Sequence, residues 1–157
     1  RRPGAVEAAV EAGVPICLMH MLGEPRSMQS NPRYTDVVAE VEAFLAARIS
    51  VCVEAGMPRS RLLADPGFGF GKTLEHNVTL LKHLGRFTSL GVPLLVGMSR
   101  KSMIGKLLDD APVSQRLYGS VAAATLAGWL GASLVRVHDV RSTVDALRVC
   151  TAVREAI

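Results

Sequence analysis

Four clusters of polar residues interrupt the apolar stretches of this chain, and their types suit a flat, anionic small molecule. The first closes an apolar run in "LLADPGFGFGKT", residues 62–73. A carboxylate such as Asp65 can accept two N–H bonds side by side from the edge of a planar heterocycle. Gly67, Gly69 and Gly71 let the following loop come close to a ligand, and Phe68 or Phe70 can cover it. The second cluster is "GMSRKS", residues 97–102. There Lys101 can donate to a ring carbonyl or nitrogen, while Ser99, Arg100 and Ser102 can hold a carboxylate or phosphate at a helix start. The third is "RVHD", residues 136–139, where Arg136 and His138 stand two apart and share a strand face. An inward-facing Arg beside a His needs an anion to offset the loss of water, and a diphosphate fits the pair. The fourth is Met19-His20-Met21, in which His20 reads as packing or as support behind the site. His76 and His83 fall on a helical pattern and read as surface residues.

The glycine stretch is not a nucleotide-binding P-loop. That motif needs GxxxxGK[ST], whose amides cradle phosphate. Here Pro66 stands where the first glycine belongs, and it has no N–H to give. The alternation Gly67, Gly69, Gly71 also fails the GxGxxG pattern. "LVRVHD" resembles a Walker B strand, but it has no Walker A partner. Pro66 cannot donate to a sheet ladder, so regular strand pairing is expected to stop at Asp65.

Each cluster sits at the end of an apolar run, and each run is followed by a helical pattern. The expected strands are 14–20, 61–66, 92–99 and 133–139. The expected helices cover 4–13, 36–55 ending at Gly56, 74–90, a split pair at 100–108 and 114–131, and 142–156 with Ser142 as N-cap. Strands alternating with helices give a parallel sheet, because each crossover returns the chain to the same end. The runs are apolar throughout, as they are when both faces of a sheet are covered. In such a sheet all C-terminal strand ends open on one side, where loop residues converge on a common mouth. The fold class is therefore α/β, with four parallel strands alternating with helices.

The bulk composition agrees. The chain has 157 residues, 49% hydrophobic and 20% charged, with mean hydropathy +0.28 and 4% aromatics. That is enough for one domain with an aliphatic core. The net charge is +4, without a block of like charges, which argues against nucleic acid and for a small anionic substrate. Cys17, Cys52 and Cys150 form no CxxC pair and read as buried free thiols of a reducing compartment. No apolar run has the length of a membrane span. The chain begins at Arg1 with a helical pattern already running, so it is expected to start partway through a fold.

Taken together, "CLMHM", "DPGFGFGK", "LLVGMSRKSMIG" and "RVHDV" resemble segments of the dihydropteroate synthase family, in the same order and over essentially the whole chain. The resemblance implies a (β/α)8 barrel of which residues 1–157 carry the last four strands, with the N-terminal half missing. It implies a cytoplasmic transferase of folate biosynthesis, a sulfonamide target, homodimeric at full length. The reaction it implies joins 7,8-dihydropterin-6-ylmethyl diphosphate to 4-aminobenzoate, with magnesium assisting through a ligand in the missing half. By the same resemblance Asp65 binds the pterin amino edge and Lys101 the ring carbonyl and nitrogen. Arg136 stacks on the pterin and, with His138, binds diphosphate; Lys101, Arg136 and His138 are the catalytic set. Met19, Leu95 and Gly97 line the pterin pocket, and Gly69, Phe70, Ser99 and Ser102 lie near aminobenzoate. Two alternatives stand beside this reading: a non-catalytic half barrel completed by another chain, and a related pterin-binding methyltransferase barrel.

Overall fold

A computed structural model describes residues 4–156. Helix α1 (Ala5–Ala12) leads into β1 (Ile16–Met19), and the elements that follow complete four strand–helix units. They run α2 (Val37–Glu54), β2 (Leu62–Asp65), α3 (Leu74–Lys82), β3 (Leu95–Val96), α4 (Ser102–Leu107), α5 (Leu117–Trp129), β4 (Leu134–Val135) and α6 (Val140–Arg154).

The four strands are parallel and stand side by side in chain order. β1 pairs with β2 from Ile16↔Leu62 to Met19↔Asp65, and β3 pairs with β4 at Leu95↔Leu134 and Val96↔Val135. A single parallel bridge, Ala64↔Leu94, joins the two pairs, with the Ala64 amide donating to the Pro93 carbonyl at 3.0 Å. This is the succession a (β/α) barrel builds with right-handed crossovers.

Paired residues of a parallel ladder share a face, so the register sorts the side chains. Leu62, Ala64, Leu94 and Val96 point outward under the helices and are buried. Cys17, Leu63, Leu95 and Leu134 point the other way; Cys17 and Leu134 are exposed and the other two only half-buried. The core therefore lies between sheet and helices. Val38, Val41, Leu45, Ile49 and Cys52 form the stripe by which α2 enters it, joined by Leu80, Leu84 and Phe87 from the next unit. Asp36 caps α2 by accepting from the amides of Val38 (2.9 Å) and Ala39 (3.0 Å), while Glu40 reaches back to the Asp36 amide.

Several sequence expectations need correction. The ladders of β3 and β4 span two residues each, because the chain leaves the sheet at Gly97 and at Arg136 to build the mouth. The helix expected over 74–90 stops at Lys82 and tightens into 3-10 turns over 84–90. Ser142 lies inside α6, whose N-cap position is Asp139; that carboxylate is held by Arg100 and makes no cap bond. Cys17 is exposed, on the uncovered face of β1. His76 is half-buried, closing a capping box with Thr73 at the start of α3.

Candidate functional site

The loop after β2 takes its shape from what presses on it. Gly67 has φ +71° and a Cβ there would lie 1.9 Å from the His20 carbonyl oxygen; at Gly71, φ +67°, it would lie 2.5 Å from that of Leu22. No other residue fits either place. The loop is thus pressed against the chain leaving β1, and polar groups then fasten it. The Gly67 amide donates to Asp65 Oδ1 at 2.7 Å, closing the turn after the strand. The Gly69 amide donates to Asn77 Oδ1 at 2.7 Å, Gln29 donates to the Gly69 carbonyl, and the Tyr34 hydroxyl donates to that of Gly71 at 2.8 Å. Lys72 Nζ reaches back from the far end of the loop to the carbonyls of Gly67 (2.9 Å) and Phe70 (3.2 Å) and to His20 Nδ1 (2.9 Å).

Phe68 turns inward and is fully buried, so of the two phenylalanines only Phe70 is available to cover a ligand. Across the mouth, Lys101 lays its stem along Gly69, places its ammonium 4.3 Å from the Phe70 ring centre, and donates to the Phe68 carbonyl at 2.5 Å. Gly97 lies beneath Arg136, whose guanidinium comes within 3.0 Å of where a Cβ would be. Ser99 is buried; its Oγ lies 2.9 Å from His138 Nδ1 and accepts from the His138 amide at 3.2 Å. That leaves Nε2 as the ring nitrogen directed away from Ser99.

Arg100 departs from expectation. It adopts φ 58°, in the left-handed region, and pairs through both nitrogens with Asp139 at 2.6 and 3.1 Å. It is therefore a brace between the ends of β3 and β4 rather than an anion ligand, and it holds the Asp139 carboxyl below the usual carboxylate range. Ser102 is exposed at the start of α4, a helix of six residues.

Burial and neighbouring charges shift the titratable groups of this region. Burial raises the Asp65 carboxyl, against the opposing pull of the Gly67 amide, Lys101, Arg136 and Lys72. Burial brings Lys72 down to about 7 and Lys101 to about 8, with Asp65 opposing both shifts; Lys101 adds to the first and Arg136 to the second. Shielding by its neighbours and the Asp65 charge lift the Cys17 thiol to about 11, with Arg136 opposing. One carboxylate beside Lys101 and Arg136 leaves an excess of positive charge at the mouth, suited to an anionic ligand whose polar edge can meet Asp65.

Of the residues singled out from sequence, Asp65, Gly69, Phe70, Gly97, Ser99, Lys101, Arg136 and His138 gather at this mouth. Met19 pairs with Asp65 across the β1–β2 ladder, and Leu95 shares its face one strand on. Sequence reading missed Lys72, Asn77 and Tyr34, which hold the loop from behind. Lys72 had a signal, its place directly after the third glycine; Asn77 and Tyr34 had none, because only the fold brings them to the loop. His20, read as packing or support, does both: it is buried, edge-on to Phe44 at 4.9 Å, and bonded to Lys72.

Comparison with known proteins bears on this arrangement. The family described as pterin binding enzyme matches residues 1–138. The dihydropteroate synthase of Escherichia coli K12 is 54% identical over 154 residues, covering 98% of this chain and 54% of that protein. Among solved structures, the Yersinia pestis dihydropteroate synthase with a sulfonamide drug superposes with TM-score 0.96 at 50% identity, covering 100% of this chain and 57% of that one. The Xanthomonas albilineans enzyme in complex with 7,8-dihydropteroate gives TM-score 0.92 at 51% identity, covering 100% and 57%. The chain spans about half the length of the curated relatives it matches.

Proposed function

This chain belongs to the pterin binding enzyme family, and on that premise we propose that it is the C-terminal half of a dihydropteroate synthase barrel. The whole protein then condenses 7,8-dihydropterin-6-ylmethyl diphosphate with 4-aminobenzoate to give 7,8-dihydropteroate and diphosphate. The observation that carries this reading is the mouth itself: the buried carboxylate of Asp65 closes β2, Lys101 lies over Phe70 and donates to the Phe68 carbonyl, and Arg136 covers Gly97, beside a loop whose backbone is held by Asn77 and Lys72.

The parts divide the work. Asp65 accepts from the amino and N–H edge of the pterin, and Lys101 donates to its carbonyl and ring nitrogen. Met19, Leu95 and Gly97 line the ring pocket. Arg136 stacks on the pterin and, with His138, meets the diphosphate. The C–O bond to diphosphate breaks with its electron pair leaving on the anion, and the pterin methylene becomes electron-poor. The arylamine nitrogen then bonds to that carbon and sheds a proton. Catalysis thus consists of stabilising the departing anion, which needs cations placed in advance rather than a covalent nucleophile. Gly69, Phe70, Ser99 and Ser102 border the aminobenzoate, the position a sulfonamide would contest.

The residues present do not fit a magnesium site. Among the described residues no three His, Cys, Asp or Glu side chains gather, and the anion end of the mouth is cationic. A metal used by the whole protein would take its protein ligands from the other half of the barrel. No helix among the described residues is long and apolar enough to cross a membrane. A cytoplasmic homodimer remains part of the proposal for the full-length protein.

The test is direct. The intact protein carrying this chain, given both substrates and magnesium, should form dihydropteroate and diphosphate in equal amounts. Binding of a pterin without any condensation would sink the synthase reading and favour a methyltransferase barrel.

A further inference from the structure

We propose that Lys72 is a positioning residue, whose amine, tied to the Gly67 and Phe70 carbonyls and to His20 Nδ1, holds the glycine loop in the shape that presents Gly69 and Phe70 to the mouth. The proposal rests on the functional reading above only for the identity of the ligand; the tether itself is independent of it.

Lys72 is 3% exposed, which for an ordinary surface lysine would be a costly place to sit. Its surroundings explain how it is accommodated. Three atoms with lone pairs converge on one nitrogen, matching the three N–H donors of an ammonium. A neutral amine is satisfied as well, giving two N–H bonds to the two carbonyls and accepting from His20 in its Nδ1–H form, and it avoids the cost of burying a charge. Lys72 also joins both ends of the loop, since Gly67 and Phe70 bracket Phe68, whose carbonyl receives Lys101. A change at Lys72 thus reaches Lys101 through the backbone, without Lys72 touching substrate.

The tether has a pH signature. The charged or titratable groups that face Lys72 are His20 after β1, Asp65 at the end of β2 and Lys101 after β3. With the loop closed the amine keeps its proton to about 7; opened to water it would keep it to about 10.5. Closing therefore releases a proton in that window, and loop protection grows with pH by up to about tenfold per unit.

Amide hydrogen exchange on the intact protein without ligand tests this, with the α2 amides as reference and rates corrected for intrinsic exchange. In the wild type, protection at Gly69 and Phe70 should rise across the window. In Lys72→Met it should be about tenfold lower at neutral pH and flat, with α2 unchanged. Identical protection and profile in the two proteins overturn the proposal; if Lys72→Met does not fold, a flat wild-type profile overturns it. Calorimetry with 7,8-dihydropterin-6-ylmethyl diphosphate should show affinity about tenfold weaker in Lys72→Met, and equal affinity also overturns it. A wild type that fails to bind this probe while its loop keeps the expected profile refutes the functional reading and leaves the tether standing.

Discussion

The two faces of the same sheet are built alike and finished differently. Leu62 and Ala64 on β2 and Leu94 and Val96 at β3 are sealed by helices, while their neighbours Leu63 and Leu95 are only half-buried; on the flanking strands β1 and β4, Cys17 and Leu134 of the inward face are exposed and Ile16, Leu18 and Val135 of the outward face are half-buried. Strand composition does not account for this, since both sets are apolar. The difference lies in what is available to cover them. Helices packed on the outer face come from this chain, whereas the inner face of a barrel is covered by strands from the opposite wall. With half a barrel's strands, the outer face is sealed over the two central strands, and none of Cys17, Leu63, Leu95 and Leu134 on the inner face is sealed. The mouth inherits the same asymmetry: Asp65 and Lys72 are buried, whereas Arg136 and His138, just past β4 at one side of the four strands, are exposed.

The strongest way to break this comparison is to purify residues 1–157 alone. The open inner face and the unpaired edges of β1 and β4 should make the chain self-associate and leave it without turnover. Adding a separately made N-terminal half should restore some activity. A monomeric peak on size-exclusion chromatography with full synthase activity would refute the half-barrel account.

In the intact protein Arg136→Ala should be the most damaging change at the mouth. Once the opposite wall and the substrates exclude water from the mouth, removing a charged partner costs on the order of 2–5 kcal/mol, roughly 30- to 5,000-fold in kcat/KM. Steady-state kinetics at wild-type kcat/KM would remove Arg136 from the anion site.

A matched pair sharpens the contrast between faces. Leu62→Ala, on the sealed face, should lower the stability of the isolated chain by about 2–5 kcal/mol in denaturant titration. Leu134→Ser, on the open face, should cost below about 1 kcal/mol and reduce self-association. In the intact protein Leu134→Ser should become the more damaging of its two contexts, because the opposite wall then buries it. Equal costs in both contexts would mean that β4 gains no cover.

The smallest effect concerns Lys101, which burial holds at about 8. Above that pH the folded protein binds fewer protons than the unfolded chain, which keeps this one to about 10.5, so stability gains with pH across the interval. Lys101→Met should flatten this slope slightly in pH-dependent unfolding, and an unchanged slope would place Lys101 in water.

How much of this was legible in advance follows from which forces are local. The alternation of apolar runs and helical patterns and the stop at Pro66 depend on neighbours within a few residues, and these features stand where the sequence put them. The strand ends also declared the mouth, because Asp65, Lys101, Arg136 and His138 each close an apolar run. Other features depended on contacts between distant segments. Phe68 and Phe70 are chemically alike, and only packing sends one into the core and the other to the mouth. Arg100 looked like an anion ligand until Asp139, 39 residues away, was brought beside it. Lys72 looked like the end of a phosphate motif, and the turn of the loop instead delivered it to His20, 52 residues upstream. Periodicity and punctuation are written in the chain because they arise from backbone geometry. The pairing of a buried charge is decided by tertiary structure, because a charge leaves water only where the fold has already assembled its partners.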